Sequence, residues 1–166
     1  MLRTALIVKN GGLWLDSTVF CTGSIDRYVN KDTDLFVYRN EHRGDKSSVL
    51  SNWLIYAKPN NPILVNTLKI LNMYWKTHNR IIDYFMYHQI FTLVTEKFQQ
   101  EWEKVPFYSN IEPHVLWFHH FYKNFNQETF ERIKKLSNFH KLSYKFDKDK
   151  LEKDNFYDEL INEKIK

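Results

Sequence analysis

The chain has 166 residues, which suffices for one domain with a sizeable core. Aromatic residues make up 17%, with 13 Phe, 10 Tyr and 5 Trp, and only four Gly and four Pro occur, so a linker-rich or low-complexity protein is excluded. The net charge of +4 comes from Lys and Arg scattered among 20 acids, without the basic stripe of a nucleic-acid binder.

From the start of the chain, Met1 to Lys9 reads as the end of a helix, with Leu2 and Leu6 at helical spacing and Asn10-Gly11-Gly12 as its stop. No long apolar run with a small-residue cleavage site occurs there, so no signal peptide is expected. No stretch reaches the roughly 18 apolar residues of a membrane span. Leu13 to Cys21 then reads as one buried strand. The single cysteine, Cys21, is expected as a small core residue of that strand, and one cysteine allows no internal disulfide. The expected compartment is the cytoplasm.

Leu35 to Tyr38 and Trp53 to Ala57 read as two more strands, separated by the polar loop "RNEHRGDKSS". Asn61 and Pro62 form a helix start, followed by Ile63, Leu64, Leu68, Leu71 and Trp75 at helical spacing. "DYFMYHQIFTLVTEKFQQEW" reads as a buried helix with Asp83 near its start, and "PHVLWFHHFY" as a short aromatic segment. Asn126 caps a further helix in "NQETFERIKKLSN". The main domain is expected over residues 1–145. Residues 146–166 are expected as a charged tail, helical or partly disordered.

A few strands followed by several helices predict an α/β or α+β domain with a small sheet. Asp16 is the sharpest chemical feature. A carboxylate at the end of a buried strand can point into the cleft where open α/β sheets bind ligands. There it can meet a hard cation such as Mg²⁺ or Mn²⁺. It can equally be a turn-forming Asp bonded to its own backbone. Trp53 reads as a core tryptophan or as a stacking surface for a ligand. Asp83 reads as a helix-end carboxylate facing a ligand, or as a cap. Five positions separate Asp83 from His88, so one helix would not put them on one face. His114 is read as a structural histidine. His78, His119 and His120 show no spacing of a metal site and are read as surface or packing residues.

"GGLWLDSTVF" resembles the Gly-Gly, aromatic, Leu, Asp segment of bacterial and fungal sugar transferases, and most closely that of the capsular polysaccharide synthesis protein family. "SNWLIYAKPNNPIL", "IIDYFMYHQIF", "WEKVPFYSNIEPHVL" and "FHKLSYKF" are similar to further blocks of that family in the same order, together spanning Leu2 to Lys145. The resemblance implies a partial, truncated GT-A-like nucleotide-sugar transferase domain whose N-terminal half is missing. It implies transfer of a sugar from a nucleotide-sugar donor to a glycan acceptor in capsular or cell-surface polysaccharide synthesis, at the inner membrane face. The alternative is a non-catalytic remnant or interaction module of such an enzyme.

In such enzymes a DxD motif helps hold a divalent cation, Mn or Mg, and the nucleotide sugar. Here Asp16 is its first acid and Thr18 stands at its second. The resemblance assigns catalysis to Asp16 and Asp83 and a metal to Asp16. It assigns substrate contacts to Gly11, Gly12, Trp14, Thr18, Asn52, Trp53, His88, His140 and Lys141. His140 and Lys141 match a His-Lys-Leu block, where two such side chains can neutralise a leaving diphosphate. A solvated basic turn is the alternative for that pair.

Overall fold

The computed structural model describes residues 1–40 and 48–162. Most of the loop "RNEHRGDKSS" therefore lies outside the described residues, as does the end of the charged tail. The fold is mixed α/β with small sheets and several helices. It divides into two compact units, Met1–Asp16 with Tyr28–Asn110, and Ser17–Arg27 with Ile111–Lys166.

In the first unit, helix α1 (Leu2–Asn10) ends at Gly11, whose N–H returns to the Ile7 carbonyl at 2.7 Å. Gly11 has φ of +67°, and a Cβ there would lie 2.7 Å from Pro59 Cδ. Only glycine fits that turn without strain. Strand β1 (Gly12–Leu15) follows, with β3 (Leu35–Phe36) and β4 (Leu54–Ala57) elsewhere in the unit. The strand order is β1-β4-β3 with both ladders antiparallel, Trp14 facing Ile55 and Phe36 facing Tyr56. Helices α2 (Pro62–Thr77), α3 (Met86–Lys97) and α4 (Gln99–Glu103) complete the unit. The Asn61 side chain accepts from Leu64 N–H and Pro62 opens the helix, as the sequence predicts. Ile7, Leu35, Ile55, Ile63, Leu64 and Phe91 form the core beneath these elements. Beside it, Tyr38 stacks on Trp53 at 5.1 Å.

In the second unit, β2 (Val19–Cys21) pairs antiparallel with β5 (Phe139–Lys141). Glu112–His114 is a 3₁₀ turn and Leu116–His120 a π turn. Helix α5 (Gln127–Leu136) is capped by the Asn126 side chain, which accepts from Thr129 N–H. Helix α6 (Phe156–Ile161) is capped by Asn155. Leu116, Phe130, Ile133 and Phe156 are its buried core. The tail thus contributes Phe156, 1% exposed, to a hydrophobic core.

Two expectations are corrected. The apolar run from Leu13 to Cys21 is two strands, because the chain leaves the first sheet at Asp16 and its next segment pairs with β5 in the second unit. Cys21 ends β2 and is exposed, so it is not a core residue.

Candidate functional site

Asp16 directly follows β1, and its N–H continues the ladder by donating to the Trp53 carbonyl at 2.9 Å. Its Oδ1 accepts two hydrogen bonds, from Arg3 Nη1 at 3.2 Å and from Trp14 Nε1 at 3.0 Å. Arg3 Nη1 also donates to the Asn52 carbonyl at 2.6 Å, and its guanidinium lies 5.7 Å from the centre of the Trp14 ring. Both ends of the ion pair are part-exposed, 27% for Arg3 and 30% for Asp16. Two donors fix one carboxylate oxygen, and no hydrogen bond to Oδ2 occurs among the described residues. The result is an oriented carboxylate with one oxygen left to accept from a ligand.

The same neighbourhood extends to α3. Thr4, fully buried on α1, donates from its hydroxyl to the Tyr87 hydroxyl at 3.4 Å. His88 lies next to Tyr87, and its Nδ1 is buried with no hydrogen-bond partner among the described residues. Burial, and then the nearby Arg3 charge, hold the His88 imidazole below its ordinary pKa. The ring is thereby kept neutral near pH 7. Its centroid is 5.4 Å from that of Phe85. Asp83 is exposed ahead of the helix, where its Oδ1 accepts from Phe85 N–H at 2.5 Å. Asp83 therefore caps the turn while its other oxygen has no bond among the described residues.

The remaining sequence candidates divide by unit. Gly11 and Gly12 shape the turn before β1, both with positive φ. Asn52 contributes its carbonyl to Arg3. Trp53 is 5% exposed, with its indole N–H on Asn110 Oδ1 at 3.1 Å, so it packs in the core. In the second unit, the Thr18 hydroxyl accepts from Lys141 Nζ, which also reaches the Leu142 carbonyl at 3.0 Å. Thr18 lines a cavity of about 270 Å³ with Phe20, Phe121, Leu142, Tyr144 and Phe146. His140 is fully buried on β5, bonded through Nε2 to the Thr22 hydroxyl at 3.0 Å. Burial lowers its pKa to about 4, so it carries no charge near pH 7. Arg3, on a helix 13 residues before Asp16, has no motif that marks it in the sequence.

The model matching residues 1–160 describes capsular polysaccharide synthesis proteins. The chain belongs to that family. A comparison with curated proteins gives no match. For this family member, the donor set at Asp16 bears on the cation that a DxD-like motif implies. One carboxylate is present, its Oδ1 is taken by two donors, and Arg3 already brings positive charge to that oxygen. Among the described residues no three His, Cys, Asp or Glu side chains are grouped to hold a metal. Asp16 offers one carboxylate oxygen, Oδ2, so a divalent cation there would take the rest of its shell from water and phosphate. Among the described residues no helix is long and apolar enough to cross a membrane.

Proposed function

We propose that this chain serves capsular polysaccharide synthesis as a glycosyltransferase, moving a sugar from a nucleotide-sugar donor to a glycan acceptor. The observation that carries the reading is the Asp16 carboxylate, pinned through Oδ1 by Arg3 and Trp14 and open at Oδ2. In the transfer, an acceptor hydroxyl oxygen bonds to the anomeric carbon of the donor. The bond from that carbon to the diphosphate oxygen breaks, and the nucleoside diphosphate leaves with the electron pair. The acceptor's proton passes to the Asp83 carboxylate. Asp16 Oδ2 accepts from a donor sugar hydroxyl and fixes the sugar for attack. Asp83 offers its unbonded oxygen to an acceptor hydroxyl.

A second reading has its own support. The Arg3–Asp16 pair ties α1 to the end of β1, so Asp16 can be a latch in a non-catalytic module. Asp16→Asn separates the two readings. Asparagine keeps the shape and an acceptor oxygen but loses the charge. As a ligand contact, the substitution stops sugar transfer with little change in melting temperature. As a latch, it leaves any activity in step with stability.

A further inference from the structure

The turn between α2 and α3 exposes large apolar side chains in an unusual run. Ile81 is 55% exposed, Ile82 71%, Tyr84 84% and Phe85 53%. Exposed apolar surface of this density marks a binding site more often than a bare face. The turn is nevertheless well braced. The Tyr74 hydroxyl donates to the Arg80 carbonyl at 2.6 Å, and His78 stacks flat on Tyr74 at 4.3 Å. Asp83 ties the turn through Phe85 N–H, and Met86 N–H returns to the Asp83 carbonyl at 3.2 Å. Tyr84 and Phe85 meet edge to face at 5.1 Å. Phe85 in turn contacts His88.

We infer that Tyr84 and Phe85 are a stacking platform for a sugar ring of the acceptor, with Asp83 accepting from its hydroxyls. The inference rests on the transferase reading and names the acceptor side of it. A hexopyranose presents one face of C–H groups and an edge of hydroxyls. The C–H face matches the electron-rich face of an aromatic ring. The hydroxyl edge needs an acceptor, and the Asp83 carboxylate sits between Ile82 and Tyr84 in the chain. That carboxylate argues against a hydrocarbon or an anionic lipid surface as the occupant, since either would have to desolvate or repel it. Rings already held in place lose little freedom on binding.

The test is saturation-transfer NMR on the whole chain with methyl β-glucopyranoside and methyl β-galactopyranoside. The wild type transfers saturation to the sugar C–H protons. The double variant Tyr84→Ala, Phe85→Ala weakens that signal about tenfold. Both side chains are exposed, so the variant folds, and a thermal melt confirms it. Tyr84→Trp keeps the signal, because an indole offers a larger face. Sugar transfer by Asp16→Asn, measured apart from this signal, judges the transferase reading separately. The inference is overturned by a double variant with wild-type signal, or by a wild type with none. It is also overturned if phosphatidylglycerol vesicles sediment the wild type but not the double variant while the glycoside signals are equal.

Discussion

Asp16 in the first unit and His140 in the second are both polar groups set at strands, and the fold treats them in opposite ways. Asp16 stays part-exposed and has a cation and an indole N–H on one oxygen. His140 is fully buried with one nitrogen on Thr22 and the other without a partner among the described residues. A charge survives where water and a counter-charge support it. An imidazole enclosed by protein loses its charge instead, because desolvation outweighs what one hydroxyl returns. The first arrangement can serve a ligand, and the second serves packing.

The largest expected effect lies in the second unit's core. Phe130 is fully buried against Phe125 and Phe156. Phe130→Ala should cost about 3–5 kcal/mol in urea unfolding. A loss below about 1 kcal/mol would show that this core is not what holds β2 and β5 together.

The pH dependence of stability sharpens the contrast. An unfolded histidine takes up its proton near pH 6.5 and folded His140 near pH 4. Between these values the unfolded chain binds more protons, so stability is full above about pH 6.5 and falls as the pH drops towards 4. The loss attributable to His140 is about 3 kcal/mol by pH 4. His140→Phe should remove that part of the slope, since Thr22 keeps the Ser137 carbonyl as a partner. Equal slopes in wild type and variant, from urea melts across this range, would mean that the ring is not held neutral.

Smaller effects are expected around Asp16. Gly11→Ala must place a Cβ against Pro59 at positive φ, for a loss of about 1–3 kcal/mol. A melting temperature unchanged from wild type would remove the turn from the account. Arg3→Met removes a part-exposed ion pair and should cost about 1 kcal/mol or less. A loss several times larger, measured in the same melts, would make Arg3 a latch and not an orienting partner.

Much of the helical framework was legible. Asn61-Pro62 and Asn126 are local signals, and local capping chemistry decides where those helices start. The run from Leu13 to Cys21 misled because apolar periodicity reports burial without saying in which core. Asp16-Ser17-Thr18 is where the chain changes unit, and no glycine or proline marks it. Asp16 stood out as a lone acid among apolar residues. Arg3 did not, since its role comes from a contact across 13 residues. His140 beside Lys141 read as a basic pair, yet strand alternation sends one side chain inward and leaves the other part-exposed. The exposure of Tyr84 and Phe85 was equally hidden, because an aromatic run reads as core until the turn is seen.

The central claim is that Asp16 meets a sugar. Sugar transfer from UDP-glucose, UDP-galactose and GDP-mannose should be measured for wild type and Asp16→Asn, alongside thermal melts of both. The account predicts a loss of about a hundredfold or more in turnover with a melting temperature close to wild type. Near-normal turnover in the variant, or a loss that only tracks unfolding, would contradict it and leave Asp16 as the latch between α1 and β1.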